Sequence, residues 1–159
     1  EKSEPLPIRL LHTTAIAAAG ADLIALDATE RRRDGELIGD LIPAIRARTD
    51  KLIFADIATR AEAERAVALG ADCVGTTLSG YTEETKATSG AGPDFELISE
   101  LAATLSAPVI AEGRFTTPDQ LREAFRRGAY AVVIGTAITN PREITRGFAQ
   151  AASASPQTR

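Results

Sequence analysis

Cysteine and histidine are scarce in this sequence of 159 residues, and tryptophan and methionine are absent. The single cysteine, Cys73, excludes an internal disulfide and fits a reducing compartment. Because Cys73 lies within an apolar run, we predict a small buried core residue rather than a nucleophile. His12 is the only histidine. Without Cys or His partners nearby it argues against a zinc site, and we expect a surface or packing residue near the first helix.

Long apolar runs and a strong net charge are also lacking. No run approaches the roughly 18 residues of a membrane-spanning helix, and the N-terminus shows no signal-peptide pattern, so we expect a cytoplasmic protein. A net charge of −4 argues against nucleic-acid and membrane partners, because a mildly acidic surface does not attract polyanions. It leaves room for a phosphate ligand held by local donors. Arg31-Arg32-Arg33 is therefore interpreted as a solvated loop.

A short phrase recurs three times, as Gly20-Ala21-Asp22, Gly70-Ala71-Asp72 and Gly128-Ala129-Tyr130. Each copy follows a helix-like segment and precedes an apolar run, so each glycine is predicted to end a helix in the left-handed conformation. Two further apolar runs lie between the copies. Continuously apolar runs are typical of parallel strands covered on both faces. Strands are thus predicted at 22–27, 51–56, 72–76, 108–112 and 131–135.

Capping residues mark where the helices begin. Thr59 and Glu62 form a capping box, and proline follows a cap in Thr117-Pro118 and Asn140-Pro141. The segment 36–48 keeps helical spacing, although Pro43 inside it predicts a kink or a break.

Alternation of strands and helices predicts an α/β fold with a parallel sheet. We expect one domain over residues 1–152, its last helix at about 141–151, and a disordered tail at 153–159. Either an open doubly wound sheet or a (β/α)₈ barrel fits this pattern. A barrel needs eight strands and at least about 200 residues, whereas five strands are visible here.

Polar residues gather where the predicted strands end. Functional groups of both architectures lie at the C-terminal ends of parallel strands, so these positions predict a catalytic rim. The candidates for substrate binding are Asp27, Thr29, Thr76, Thr77, Ser79 and Tyr81.

Two carboxylates at strand ends are candidates for proton transfer. Burial at the end of an apolar strand should raise the pKa of Glu112 and make it a proton carrier near neutrality. The alternative is a structural ion pair with Arg114 or another cation, and Asp56 has the same two interpretations. Asp27 could instead brace a neighbouring loop.

The last two strand ends predict a phosphate site. Gly135 would let backbone N–H groups approach an anion, and Arg114 could add a charge-assisted bond; the alternative is that Gly135 only makes a tight turn. The stretch 76–93, rich in Thr, Ser and Gly, is longer than an average loop and predicts a lid over the site, or else a disordered insertion.

Several strings resemble one family of enzymes. They are Gly75-Thr76-Thr77-Leu78-Ser79-Gly80-Tyr81-Thr82, Ile110-Ala111-Glu112-Gly113-Arg114 and Ile134-Gly135-Thr136-Ala137. Together with 21–29 they resemble the N-acetylmannosamine-6-phosphate 2-epimerases, in order from about residue 17 to 148. The resemblance implies a (β/α)₈ barrel of which this chain covers about the last five βα units. It also implies interconversion of N-acetylmannosamine-6-phosphate and N-acetylglucosamine-6-phosphate in sialic-acid and amino-sugar catabolism, without metal or organic cofactor.

The resemblance also implies roles for particular residues. The glutamate matching Glu112 exchanges the C2 proton together with a lysine, and the aspartate matching Asp56 helps to hold and open the sugar. The loops matching Gly113-Arg114 and Gly135-Thr136-Ala137 hold the 6-phosphate.

Departures from the family pattern leave alternatives open. Family members extend further at the N-terminus by roughly three βα units, which supply the lysine; Lys2 is not assigned to that role. Many members have arginine where this chain has Asn140, which we interpret as a helix cap, with Arg142 or Arg146 as candidates to compensate. The alternative function is a non-catalytic or truncated sugar-phosphate-binding barrel fragment, and a homodimer is a possible assembly.

Overall fold

A computed structural model describes residues 8–31, 37–87, 90 and 92–154 of the chain. Lys2, Arg32, Arg33 and the end of the predicted tail, 155–159, lie outside the described residues. The helices are α1 (Ile8–Ala18), α2 (Ile38–Arg46), α3 (Arg60–Ala68), α4 (Phe95–Thr104), α5 (Pro118–Arg126), α6 (Thr136–Thr139) and α7 (Pro141–Ala154). The strands are β1 (Leu23–Asp27), β2 (Leu52–Asp56), β3 (Cys73–Gly75), β4 (Val109–Glu112) and β5 (Ala131–Val133), and a 3₁₀ turn at Thr76–Leu78 follows β3.

All five strands are parallel, and they lie in the sheet in the order in which they follow one another in the sequence. A doubly wound sheet reverses its strand order at a switch point, whereas a barrel adds each strand beside the last. The order therefore confirms the α/β prediction and selects barrel-type winding. Asp27 lies opposite Asp56, which in turn lies opposite Gly75, so the ends of three strands meet at one edge.

Every predicted strand is present, with shorter bounds. β3 ends at Gly75 because the chain turns at once into the 3₁₀ segment. β5 ends at Val133, before Gly135 adopts φ −98° and ψ −101°. The last helix continues to Ala154, beyond the predicted end at 151 and into the predicted tail.

The core lies between the sheet and its helices. Cys73 is 8% exposed and lies at the start of β3, so the predicted buried role is confirmed, and burial raises the pKa of its thiol. A smaller cluster packs around Phe115, whose ring meets Phe95 edge to face with centroids 6.3 Å apart. Fully buried members of the main core include Ile24, Ile42, Ile45, Ile53, Ile57, Val74 and Leu101.

Pro43 lies inside α2 without ending it, so of the predicted kink or break the break is wrong and the kink stays a prediction. The proline is exposed, while Ile42 and Ile45 on the opposite face have no exposed surface. Burial of the two isoleucines contributes about 1.5–3 kcal/mol each, or roughly 3–6 kcal/mol together, which matches or exceeds the roughly 3 kcal/mol that an interior proline costs. Tertiary packing therefore keeps the helix continuous.

Helix ends behave as predicted. Gly20, Gly70 and Gly128 have φ of 96°, 109° and 94°, the left-handed conformation expected of a glycine that stops a helix. Thr59 and Thr117 both form capping boxes.

His12 is exposed on α1. Among the described residues, no helix is both long and apolar enough to cross a membrane.

Alanine substitutions at Gly20 and Gly128 should distinguish the cost of backbone strain from the cost of overpacking. A Cβ on Gly20 would meet nothing within 4 Å, whereas a Cβ on Gly128 would lie 2.8 Å from Ala102 Cβ. Gly20→Ala should therefore lose about 1–2 kcal/mol from left-handed strain alone. Gly128→Ala should lose a further ~1–3 kcal/mol from overpacking. Urea denaturation of both variants measures the difference, and equal losses would contradict this account of Gly128.

Candidate active site

The C-terminal ends of β4 and β5 open into a cleft of about 940 Å³. Thr77, Tyr81 and Glu112 line it, together with all five predicted phosphate-binding residues: Gly113, Arg114, Gly135, Thr136 and Ala137. The structure thus brings the candidate proton carrier and both glycine turns to one cavity. The other predicted site residues, all described, lie outside its lining: Asp27, Thr29, Asp56, Thr76 and Ser79.

Glu112 ends β4, and a threonine holds its backbone there. The Thr76 hydroxyl donates to the Glu112 carbonyl at 2.9 Å and accepts from the Glu112 N–H at 3.0 Å. Thr76 is 1% exposed, so its side chain positions Glu112 instead of facing the cleft. Glu112 Oε2 lies 3.1 Å from Thr77 Oγ1. No ion pair joins Glu112 to Arg114, both of which are described.

Asp56, at the end of β2, is a strand-end carboxyl group with a raised pKa. Its Oδ1 accepts from Thr77 Oγ1 at 2.6 Å. Burial raises the pKa of Asp56 from 3.8 to about 6, against the lowering effect of the Thr77 hydrogen bond; the nearby Glu112 and Asp27 carboxylates also raise it. A carboxyl group with this pKa carries a proton for part of the time near neutrality.

Asp27 braces the loop that follows its own strand. Its carboxylate accepts from the Thr29 N–H at 2.9 Å and the Thr29 hydroxyl at 2.6 Å, and it pairs with Arg31 at 3.1 Å. Thr29 is 2% exposed. These contacts support the structural interpretation of Asp27, and substrate binding by either residue stays a prediction.

Arg114 clamps the segment after β3. Its Nε donates to the Gly92 carbonyl at 2.7 Å, its Nη1 donates to the Ser79 carbonyl at 2.6 Å, and its guanidinium lies 5.5 Å from the centre of the Tyr81 ring. Gly113 and Arg114 both have positive φ, 106° and 60°, which turns the chain back toward this segment. The predicted lid is therefore anchored near both ends, and its opening remains a prediction.

Ser79 has a structural partner as well. Its hydroxyl donates to Asp94 Oδ2 at 2.6 Å, and Asp94 Oδ1 caps α4 by accepting from the Leu97 N–H at 3.0 Å. Ser79 is 4% exposed. Its hydroxyl therefore ties the clamped segment to the start of a helix.

The β5–α6 turn and α7 form the opposite wall. A Cβ on Gly135 would meet nothing within 4 Å, so the turn is open to the cleft. Asn140 Oδ1 accepts from the Glu143 N–H at 3.3 Å, which confirms the helix cap. Of the two arginines offered as compensating for Asn140, Arg146 lines the cleft and Arg142 does not.

The α7 wall was not foreseen. Ile144, Gly147, Phe148 and Ala151 line the cleft at helical spacing, and that apolar stripe was the available signal. Phe115, Thr116 and Val133 were also missed. Among the described residues, no group of three or more His, Cys, Asp or Glu side chains could hold a metal ion.

Comparison with known proteins yields one family. A family model described as "Putative N-acetylmannosamine-6-phosphate epimerase" matches residues 8–154. Relatives named "Putative N-acetylmannosamine-6-phosphate 2-epimerase" include one from Caldanaerobacter subterraneus, 48% identical over 135 residues, and one from Clostridium perfringens, 51% identical over 128 residues. These alignments cover 84% and 80% of the chain but 56% and 57% of the relatives.

A solved N-acetylmannosamine-6-phosphate 2-epimerase from Clostridium perfringens superposes with a TM-score of 0.78 at 46% identity. The match covers 87% of this chain and 60% of that structure. FabK from Thermotoga maritima, at 19% identity and a TM-score of 0.58, shares the fold alone. The chain thus spans between half and two thirds of the length of the epimerases that it matches.

Replacing Asp56 with asparagine should change how the free energy of unfolding depends on pH. The raised pKa of Asp56 means that the folded chain binds this proton more tightly than the unfolded chain does. The resulting stabilisation is fully present below about pH 4 and is lost as the pH rises through about 6. Asp56→Asn should therefore be more stable than the wild type at pH 8, by on the order of 1–2 kcal/mol after solvent screening. The two proteins should converge near pH 4.

Urea denaturation at both pH values measures this effect. Asp50→Asn, at an exposed position, is the matched control and should track the wild type. A difference between Asp56→Asn and wild type that does not change with pH would contradict the assignment.

If Arg114 clamps the segment after β3, replacing it with lysine should speed amide hydrogen exchange in that segment. Arg114→Lys keeps the positive charge but cannot span both carbonyls, so one or both bonds to the loop are lost. Amides of residues 80–86 should exchange with deuterium at least about 10-fold faster in the absence of ligand. Arg122→Lys, on the exposed face of α5, is the control. Unchanged exchange in Arg114→Lys would show that Arg114 does not hold this segment.

Proposed function

Because this chain belongs to the N-acetylmannosamine-6-phosphate 2-epimerase family, we propose that it carries out proton transfer at C2 of N-acetylmannosamine-6-phosphate and N-acetylglucosamine-6-phosphate. One observation supports the proposal. Glu112 lines the same cleft as the two glycine turns after β4 and β5, so the proposed proton carrier and the proposed anion site open into one cavity. The enzyme would act as an isomerase on a phosphorylated amino sugar.

The chemistry needs an acid–base group beside C2. When the sugar ring opens, the C2 hydrogen lies next to the C1 aldehyde, and the electron pair left by its removal delocalises into an enolate. Glu112 is our candidate to remove or return that proton on one face. Inversion needs a second carrier on the other face, which the family resemblance assigns to a lysine that is not identified here.

Ring opening itself needs proton transfer between sugar oxygens. Asp56, with its pKa of about 6, supports this role because it can both give and take a proton near neutrality. It contacts the cleft through Thr77, to which it is bonded at 2.6 Å.

The 6-phosphate is assigned to the wall opposite Glu112. The first N–H groups of a helix have no partner within the helix, and Thr136 and Ala137 begin α6 in the cleft lining. Gly113, next to Glu112, lines the same cleft. Arg146 adds a positive charge there, shared with Glu143.

Location and assembly are separate proposals. A phosphorylated substrate supports the cytoplasmic location, because phosphate esters are retained inside cells. A homodimer is proposed as well, and light scattering of the purified protein would measure it.

Deuterium exchange tests the proposed reaction. In D₂O the protein should place deuterium at C2 of N-acetylmannosamine-6-phosphate, observed by proton NMR. Glu112→Gln should slow exchange by about 10²–10⁴-fold, since it keeps the shape of the side chain and removes its proton chemistry. Glu100→Gln, exposed on α4, should match the wild type.

Two results would count against the proposal. Exchange by Glu112→Gln at the wild-type rate would remove Glu112 from the mechanism. Binding of the sugar phosphate by the wild type without any exchange at C2 would favour the non-catalytic alternative.

A further inference from the structure

Three side chains from neighbouring strand ends meet at one hydroxyl group. Thr77 Oγ1, just after β3, lies 2.6 Å from Asp56 Oδ1 at the end of β2 and 3.1 Å from Glu112 Oε2 at the end of β4. All three residues are partly buried. Glu112 and Thr77 line the cleft, and Asp56 lies behind them.

The single hydrogen of the Thr77 hydroxyl limits the hydrogen bonds that the three groups can form. A threonine hydroxyl has one hydrogen to donate and lone pairs with which to accept. It can donate a full two-centre hydrogen bond to only one carboxylate at a time, so the second contact is such a bond only if the other carboxyl group carries a proton. Two ionised carboxylates around one hydroxyl would leave one contact unsatisfied and like charges close together.

We propose that Thr77 is a positioning residue that joins Asp56 and Glu112 into one unit sharing a single proton, through which the proton passes between the two carboxyl groups without entering solvent. This inference rests on the proposed function. It would connect the group that acts at C2 with the group assigned to ring opening.

A protonated Asp56 gives its hydrogen to Thr77 Oγ1, while the original Thr77 hydrogen moves to Glu112 Oε2. One O–H bond breaks and one forms at Thr77, which ends unchanged. Asp56 becomes a carboxylate and Glu112 becomes a neutral acid, and the reverse step restores the start. The net charge of the unit stays constant.

The surroundings hold these atoms in place. The Leu78 N–H donates to the Ile57 carbonyl at 3.1 Å, which fixes the 3₁₀ turn against β2. Thr76 fixes the backbone of Glu112 from the other side. An ideal Cβ on Gly75 would lie 3.0 Å from Thr77 Oγ1 and 2.3 Å from Phe54 Cζ, so glycine leaves the hydroxyl room to reach both partners.

The charged and titratable groups around the unit favour a single shared proton. Asp27 on β1 and Glu112 on β4 both raise the pKa of Asp56. The charge of Asp56 in turn raises the pKa of Cys73. No ion pair to Asp56 or Glu112 is found among the described residues. A proton is therefore the available means of relieving repulsion between the two carboxylates.

Titration of the carboxyl groups tests the bridge without substrate. Carbon-13 NMR of labelled aspartate and glutamate side chains in the intact chain follows Asp56 and Glu112, assigned with Asp56→Asn and Glu112→Gln. Thr77→Val removes the hydroxyl and should raise the pKa of Asp56 above the wild-type value of about 6, because a donor to its charged form is lost. Thr77→Ser should restore the wild-type titration.

Thr104→Val, exposed on α4, controls for the general effect of exchanging threonine for valine. If Thr77→Val does not fold, Thr77→Ala carries the same prediction with a smaller side chain. A folded variant lacking the hydroxyl in which both carboxyl groups titrate as in the wild type would overturn the proposal.

Exchange kinetics test whether the shared proton is used. Thr77→Val should lower kcat for C2 exchange by about 10²-fold with little change in KM, and Thr77→Ser should recover most of it. A wild-type kcat in a folded Thr77→Val protein would refute the relay. If the wild type itself shows no C2 exchange, the proposed function fails, whereas the titration still decides whether the bridge exists.

Discussion

The end of β4 is held in place by a side chain. β3 stops at Gly75, and beyond it the Thr76 hydroxyl replaces the missing strand by bonding both the N–H and the carbonyl of Glu112. With 1% of Thr76 exposed, water cannot substitute for this hydroxyl, and each backbone group left unpaired would cost about 1–3 kcal/mol. The position of the Glu112 carboxylate, and with it the geometry of the cleft, depends on this pair of bonds.

Local backbone physics explains why much of the fold could be predicted. Gly20, Gly70 and Gly128 end helices because left-handed geometry is cheap only for glycine, and the continuous apolar runs between them predict parallel strands. The expected coverage of both faces is wrong for β1 and β2, where Leu23 and Leu52 are 41% and 50% exposed. The meeting of Glu112 with Gly135 also follows, since parallel strands end at one edge. Pro43 shows the limit of predicting helices from local sequence, because the packing of residues distant in sequence decides whether a helix continues through a proline.

Hydroxyl and guanidinium groups at the site were harder to predict. Thr76, Thr77 and Ser79 lie within four consecutive residues, yet Thr76 bonds the backbone of Glu112, Thr77 bridges two carboxyl groups and Ser79 supports a helix cap. Their directions depend on where β3 gives way to a 3₁₀ turn, which no local pattern marks. Arg114 presents the same difficulty: the fork of donors that would suit a phosphate also suits two carbonyl oxygens, and only the folded loop shows that carbonyls are its partners.

The carboxylates at the ends of β1, β2 and β4 repel one another, and the fold compensates their charges unequally. Asp27 is compensated by Arg31 and by the N–H of Thr29, and Glu112 reaches the cleft. Asp56 lies between them with the Thr77 hydroxyl as its hydrogen-bond partner and no ion pair among the described residues. A neutral residue there would make a more stable sheet at neutral pH. Perturbed carboxyl groups concentrate where proton chemistry occurs, so the instability at the end of β2 supports the proposed proton-transfer role of this site.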